Sequence, residues 1–435
     1  PSARPPHIQG RGRCTPSSNL AALRSTHKSF SKMRRCYSPS AASVLVAVWA
    51  SAHTAAGFAP SARPLQSSPF ARTAARNGLE KLKMGRIGSR SGADEGFREV
   101  GDAVRTQRRD PWDNPLAQPQ TSKFWLNPFP LAPYGTARPT VATRISNDIY
   151  SFEQEHGFAN VSVSIRMTVV RLADGGLWVH APIAPTAECV KMVESLGVVK
   201  YVVLPTTGLE HKLFMGPFVN KFPNAQSWVA PGQWSWPVDI PLGFRVDGTL
   251  KNDDQSVPWA SEIEQKVLAT KVGIGKTTEV AFFHKKSASL IVTDAVIFIP
   301  PEAPEVVAEY RQEDLKWEKS ALMACFLGAP YTPSFAAIAG KVFVSPVVRT
   351  FIYERTRDET RAWVDDVARW KFTSIIPAHL TAPIKAGPRE WLDAFKFLDN
   401  PEENKLPEGD MRPLNAISKL LTLTGLVPPR AADAQ

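Results

Sequence analysis

The sequence predicts an α+β fold, an αββα sandwich in which two mixed β-sheets lie between layers of helices. Two observations predict it. In both halves of the central region, 141–400, strands are followed by helices. In addition, a hairpin-like pair of β-rich runs opens each half. Mixed sheets covered by helices are the arrangement that such an order of elements favours.

The first half begins with two β-rich runs, 161–172 and 177–183, separated by a turn with two glycines, which is typical of a hairpin. A helical run follows, with Thr186 at its start and Gly197 at its end as capping residues. The continuous apolar run 199–205 predicts a buried strand. The remaining predicted elements of this half are a short helix over 211–223 and a strand over 225–231.

The second half also combines strands with helices. Its β-rich runs, 278–284 and 289–299, again resemble a hairpin. The elements predicted after them are helices over 303–327 and 357–370, a strand over 372–380 and an amphipathic helix over 389–398.

Two segments flank the predicted domain on its N-terminal side, and one follows it. We expect 1–92 to be a leader that contains a signal and a transit peptide, and 93–140 to be a Pro/Trp-rich linker or a segment that wraps the domain. We expect 401–435 to be a C-terminal tail.

The leader has the composition of a bipartite plastid address. Arg34 and Arg35 precede the apolar run 44–50, which is too short for a membrane span of about 20 residues. A stretch that begins at Phe58 is rich in Arg, Ser and Ala and almost free of acidic residues. The junction AAGFAP resembles the ASAFAP-type junction of proteins imported into complex algal plastids. The sequence therefore predicts a stromal protein of algal type, and a secreted or signal-anchored protein is the alternative.

The net charge of +11 is confined to the N-terminal part of the chain. Residues 1–110 contain 19 of the 52 basic and 6 of the 41 acidic residues, so the rest of the chain has a net charge of −2. A nearly neutral domain disfavours binding of nucleic acid. We therefore expect a small molecule or a protein as the partner, and no transmembrane span in the mature chain.

Polar side chains follow several predicted strands at the point where each strand ends. His211 comes after VVLPTTGLE, Asp294 ends LIVTD, and His379 follows SIIPA. A carboxylate directly after an apolar strand is costly unless it meets a cation or hydrogen-bond donors. If these ends converge, they predict a metal site.

The order of the segments resembles the metallo-β-lactamase superfamily. More narrowly, it resembles an uncharacterised domain family of cyanobacteria and plastids that is a divergent relative of that superfamily. The resemblance covers roughly residues 125–400. The segments that carry it are GGLWVHAPI, VVLPTTGLEHK, FPNAQSWVAPGQ, EVAFFHKKSASLIVTD and IIPAHL.

The resemblance implies at most one metal ion. At the first metal position of the superfamily, Thr206 and Gly208 replace two histidines and Lys276 replaces a third. At the other position all four ligands have counterparts, so that position could hold one Zn²⁺ or Fe²⁺ and no other cofactor is implied. The four counterparts are Glu210, His211, Asp294 and His379.

Structural roles remain open for the same residues. His211 could cap its helix, Asp294 could accept backbone N–H groups, and His379 could be an ordinary partly buried histidine. We expect Lys276 to lie next to these four residues, where its ammonium would neutralise Asp294 in place of a second cation. An ion pair between Lys276 and Asp294 without any metal is a further alternative. Two other histidines have no superfamily counterpart, His180 and His284, and each could reach the cleft or line the core.

Two hypotheses for function follow. In the first, the chain is a metal-dependent hydrolase of unknown substrate, in which Asp294 and Glu210 are the catalytic residues that orient a water molecule. In the second, it is a non-catalytic binding or assembly protein that has kept the scaffold and lost the metal site.

Overall fold

The structure is a computed structural model that describes residues 104–105, 131–132, 140–158, 161–233, 242–273, 275–304, 317–326 and 334–430. These residues belong to one compact unit, Ser38–Gln435. The predicted leader, 1–92, lies outside them, as does most of the predicted linker, 93–140.

The larger sheet has the strand order β1-β3-β4-β5-β6-β7-β8-β9, and β2 pairs with β4 beside β3. Neighbours from β1 to β6 are antiparallel, whereas those from β6 to β9 are parallel, so this sheet is mixed. Its strands are β1 (Val104–Arg105), β2 (Leu131–Ala132), β3 (Val141–Arg144), β4 (Ile149–Phe158), β5 (Val161–Arg171), β6 (Gly176–His180), β7 (Val198–Leu204), β8 (Gln226–Val229) and β9 (Gly248–Thr249).

The smaller sheet contains β10 (Ile263–Val272), β11 (Gly275–His284), β12 (Ser289–Ile291) and β15 (Ser374–Ile376). It is also mixed, because β12 and β15 are parallel and the other pairs are antiparallel. A separate two-stranded ladder joins β13 (Ile297–Phe298) to β14 (Val342–Phe343).

Helices follow strands in both halves of the domain. The first begins after Thr186, whose hydroxyl accepts a hydrogen bond from the backbone N–H of Cys189 and satisfies one of the free donors of the first turn. The described helices are α1 (Ala187–Leu196), α2 (Leu209–Lys221), α3 (Trp317–Phe326), α4 (Phe335–Ile338), α5 (Pro346–Phe351), α6 (Arg357–Val367), α7 (Pro388–Ala394) and α8 (Glu408–Leu423). Two 3₁₀ turns, Tyr353–Arg355 and Lys396–Leu398, follow α5 and α7.

Three buried clusters define four layers and confirm the predicted α+β sandwich. Between the sheets, Trp178 and Val203 pack with Val280 and Phe282. The outer face of the larger sheet packs against α1 and α2. The outer face of the smaller sheet packs against α6 and α7. The last three residues of β7, 202–204, are all buried, so this end of the strand is a continuous apolar run without alternation.

Part of the predicted C-terminal tail packs onto the domain. Leu414 and Leu421 of α8 are buried in a cluster with residues of α3 and α5. Farther along, the backbone carbonyl of Leu426 lies against Gly273, at the tip of the β10–β11 hairpin. Gly273 has a φ of +59°, and a Cβ there would lie 2.0 Å from that carbonyl oxygen, so the close approach needs a glycine.

Within the described residues, no helix is both long enough and apolar enough to span a membrane.

Candidate metal site

The topology brings the predicted site residues to one edge of the sandwich. The strands β12 and β15 are parallel neighbours, so the residues after them, Asp294 and His379, lie at the same edge. From the larger sheet, the loop after β7 leads into the first turn of α2, which carries Glu210 and His211.

The four side chains converge. Each of Glu210, His211, Asp294 and His379 offers one ligand atom, and these atoms all lie within 4.8 Å of one another. Asp294 lies between the two imidazoles, with Oδ2 at 3.6 Å from Nε2 of His211 and Oδ1 at 3.2 Å from Nε2 of His379. The centroids of the two rings are 5.1 Å apart. We call these four residues the acid–histidine group.

The loop that carries His379 is fixed to β5. Nδ1 of His379 lies 2.8 Å from the carbonyl oxygen of Ser164, which can only accept, so Nδ1 is the donor and Nε2 faces Asp294. The Ser164 hydroxyl accepts a hydrogen bond from the backbone N–H of Leu380. The orientation of the His379 ring is therefore set before any ligand binds.

A buried arginine holds the same loop. The side chain of Arg166 is 1% exposed and donates to the backbone carbonyls of Pro377 and Leu380. Its Nε and Nη2 also donate to one carboxylate oxygen of Glu153, at 3.0 and 2.8 Å. The charge of Arg166 is thus paired where it is buried, and the hydrogen bonds position the backbone around His379.

The turn that presents Asp294 is held by a glutamate that the sequence analysis did not single out. One carboxylate oxygen of Glu279 accepts from the backbone N–H groups of Thr293 and Asp294, at 2.7 and 3.3 Å. The other accepts from the Thr293 hydroxyl at 2.6 Å. Glu279 lies in the middle of β11 and is buried, so the only local signal was an acidic residue inside an apolar strand.

The electrostatics of the two neighbouring carboxyls differ. Burial raises the pKa of Glu279 to about 8, with a further contribution from the negative charge of Asp294. For Asp294, burial also acts to raise the pKa, but His211 and His379 outweigh it and hold the pKa below its ordinary value. Burial and the charge of Asp294 therefore favour the neutral form of Glu279, whereas the two histidines favour the ionised form of Asp294.

His211 is the fully buried member of the group, and neither of its ring nitrogens has a hydrogen-bond partner among the described residues. Burial acts to lower its pKa, but the Asp294 carboxylate outweighs burial and the net pKa is raised. A cation bound by Nε2 would give that nitrogen a partner. With two imidazole nitrogens and two carboxylates as donors, the residues present fit a Zn²⁺ or Fe²⁺ ion.

At the other metal position, Thr206 and Gly208 stand in place of histidines and belong to a loop held by structural contacts. The hydroxyl of Thr206 accepts from the backbone N–H of Gly208 at 3.1 Å. The neighbouring Thr207 exchanges two hydrogen bonds with Thr278 of β11, one through its backbone N–H and one through its hydroxyl. The loop after β7 is therefore joined to the smaller sheet by threonines.

The prediction that Lys276 neutralises Asp294 is wrong. Lys276 is exposed, and its side chain lies beside Gly232. Since side chains alternate along a strand, Lys276 and Glu279 point to opposite faces of β11, and Glu279 is the one that reaches the Asp294 turn. The alternative of a Lys276–Asp294 ion pair fails for the same reason.

The two other histidines occupy different places. His284 lies at the far end of β11, where its Nδ1 is 2.7 Å from the Ser287 hydroxyl. His180 is a core residue, stacked on Trp178 at 5.8 Å between centroids. Burial lowers the pKa of His180 to about 3.

A cavity of about 340 Å³ adjoins the acid–histidine group. Glu210, Asp294 and His379 form part of its wall, and His156 and Glu279 also line it. Its volume is typical of a small-molecule site.

A family model described as "Domain of unknown function (DUF4336)" matches residues 146–326 and 328–397, more than half of the chain. The chain belongs to this family. The uncharacterised family expected from the sequence is thereby confirmed, and the matched range of the DUF4336 domain contains all four members of the acid–histidine group.

Several solved structures are similar to this DUF4336 chain. The metal-soaked Flv1 flavodiiron core from Synechocystis sp. PCC6803 is 10% identical, with a TM-score of 0.38, and the match covers 60% of this chain and 61% of that one. A metallo-beta-lactamase from Pontibacter korlensis is 12% identical, with a TM-score of 0.36 and coverage of 60% and 99%. A putative diflavin flavoprotein fragment from Nostoc sp. PCC 7120 is 8% identical, with a TM-score of 0.39 and coverage of 60% and 97%.

The match spans about three fifths of the flavodiiron core. A search of curated proteins gives no match.

Proposed function

We propose that this DUF4336 protein is a single-metal hydrolase that cleaves an ester, thioester or amide. One observation carries the proposal, namely the convergence of Glu210, His211, Asp294 and His379 within 4.8 Å beside a cavity. A bound Zn²⁺ or Fe²⁺ would supply a Lewis acid that polarises a carbonyl and acidifies water.

The protein's own groups prepare the reaction. Asp294 presents one oxygen to each imidazole, while the Ser164 carbonyl keeps the Nδ1 proton of His379 away from the cavity. The carboxylates of Glu210 and Asp294 lie on the cavity wall, where they can accept a proton from water and orient it. In the hydrolysis, water adds to the acyl carbon, the bond to the leaving oxygen, sulfur or nitrogen breaks, and the leaving group takes up a proton.

Metal analysis of the full chain tests the proposal. We expect about one Zn²⁺ or Fe²⁺ per chain, and a loss of the ion in Asp294→Asn and in His379→Ala, because each variant removes a donor. His284→Ala is the matched control and should keep the ion, since His284 lies at the far end of β11. Less than about 0.2 ion per chain, with no loss of thermal stability on chelation, would contradict the proposal.

The second candidate function is that of a binding or assembly protein without catalysis. At the other metal position Thr206, Gly208 and Lys276 stand in place of three histidines, so a second ion would lack three of its donors. This loss supports the second candidate. A protein that retains its ion but hydrolyses none of a panel of nitrophenyl esters, thioesters and anilides would favour this candidate.

We also propose delivery to the plastid stroma, on the strength of the basic n-region, the short apolar run and the Phe58-led stretch of the sequence.

A further inference from the structure

We propose that the cavity binds a ligand with an aliphatic chain, and that the polar head of this ligand lies at the acid–histidine group. This inference deepens the proposed function by naming a substrate class. It depends on that function for the head group only, because the chain is recognised by side chains that touch no metal.

Much of the cavity wall is aliphatic, and threonines, Ser345 and Tyr353 also line it. Five elements contribute the aliphatic side chains, namely β5 of the larger sheet, β10 of the smaller sheet, β13 of the two-stranded ladder, and the helices α3 and α5. The residues that carry the argument are Val163, Leu268, Ile297, Ala324, Val347 and Val348. Removal of alkyl surface from water into such a site is favourable and roughly proportional to the area removed.

The lining also distinguishes an aliphatic ligand from an aromatic one. Among the described lining residues none is Phe or Trp, and the only phenol ring is that of Tyr353. Flat aromatic ligands gain most from stacking on large apolar rings, and the described lining residues contain no Phe or Trp for this contact. Branched aliphatic side chains instead suit a flexible alkyl chain.

The charge of the polar wall decides the head group. Glu210 and Asp294 both lie there, so an anionic head is repelled in the metal-free protein. A divalent cation in the acid–histidine group would reverse this, because it attracts a carboxylate or a polarised carbonyl. We therefore expect neutral alkyl ligands to bind without metal, and alkyl carboxylates to need it.

Calorimetric titration of the full chain with 1-butanol and 1-octanol, in the presence of a chelator, tests the aliphatic part. Each buried methylene should tighten binding about fourfold, so octanol should bind roughly two orders of magnitude more tightly than butanol. 2-Phenylethanol, also with eight carbons, should bind at least about tenfold more weakly than octanol. Equal affinities for butanol and octanol, or tighter binding of phenylethanol, would overturn the inference.

Variants test whether the alcohol binds in this cavity. Ala324→Phe places a ring in the cavity and should weaken octanol binding at least about tenfold. Its matched control is Ala336→Phe, at an exposed position of α4 outside the lining, which should bind octanol as the wild type does. If Ala324→Phe does not fold, Val348→Thr adds a hydroxyl to the wall at nearly constant shape and should weaken octanol binding about threefold or more. Unchanged affinity in the folded variant would refute the location.

The head group is tested with octanoate, titrated into zinc-loaded and chelated protein. Octanoate should bind at least about tenfold more tightly when zinc is present, whereas octanol should change little. Equal octanoate affinity in a protein shown by elemental analysis to contain zinc would overturn the placement of the head. A protein that takes up neither zinc nor iron but still prefers octanol to butanol would refute the proposed function and leave the aliphatic cavity supported.

Discussion

His180 should make the stability of the protein depend on pH. Its imidazole is 1% exposed, it packs between Trp178 and Phe282, and neither ring nitrogen has a hydrogen-bond partner among the described residues. Burial in these surroundings favours the neutral form and lowers its pKa from 6.5 to about 3. The replacement His180→Phe keeps an aromatic ring at this position and removes the titration.

The direction and the size of the effect follow from this shift. Unfolded chains take up a proton on His180 below about pH 6.5, and the folded protein does not until about pH 3. Stability that is fully present above pH 6.5 is therefore lost as the pH falls through this window. At pH 5, which is one and a half pH units below the unfolded pKa, the loss in the free energy of unfolding is about 2 kcal/mol. At pH 7 this loss is close to zero.

Urea unfolding of both proteins at pH 7 and pH 5, with a chelator present, measures the effect. The free energy of unfolding of His180→Phe, relative to the wild type, should rise by about 2 kcal/mol between pH 7 and pH 5. Phe152→Leu is a core variant in another cluster. Its free energy of unfolding should differ from that of the wild type by the same amount at pH 7 and at pH 5. If the His180→Phe difference is also independent of pH, the reasoning from a buried neutral imidazole is refuted.

Three further outcomes are expected. Gly273→Ala should lower the free energy of unfolding in urea by about 1–3 kcal/mol, because the φ of Gly273 and the carbonyl of the C-terminal segment leave no room for a Cβ. Gly409→Ala, with open space around it, should not lower this free energy. Arg166→Met should destabilise the protein by about 3–5 kcal/mol and lower its zinc affinity in competition with a chelator, since it leaves a carboxylate and two carbonyls of the site loop unpaired; unchanged zinc affinity would contradict this role. Residues 33–92 fused to a fluorescent protein should direct it to a complex plastid, and Phe58→Ala should retain it in an earlier compartment; cytosolic or secreted fluorescence from the unmutated fusion would rule out the address.

Much of the sandwich could be predicted because its signals are local. Apolar runs, capping residues and glycine turns identified β5, β6, α1 and β7. The strand β10 was missed because its sequence contains polar residues that look exposed. Lys266 is 9% exposed, yet it pairs with Asp366, a residue 100 positions away that no local pattern could supply.

In the candidate site too, residues with a local sequence signal were predicted and residues that depend on distant contacts were not. Asp294 and His379 were recognisable because a polar residue directly follows an apolar strand. The role of Glu279 depends on the turn of a neighbouring strand, which the presence of an acidic residue within β11 does not reveal by itself. The error about Lys276 arose from spacing along the chain without regard to the face of the strand, which the alternation of side chains determines.

The acid–histidine group draws on widely separated parts of the chain. His211 and His379 are 168 residues apart, and the last of them is fixed only when its loop pairs with β5. During synthesis, the donor set cannot be complete until the second sheet has been translated and has docked on the first. An ion held there would connect the two halves of the polypeptide, so its capture would be a late event that slows unfolding of the finished sandwich more than it speeds folding.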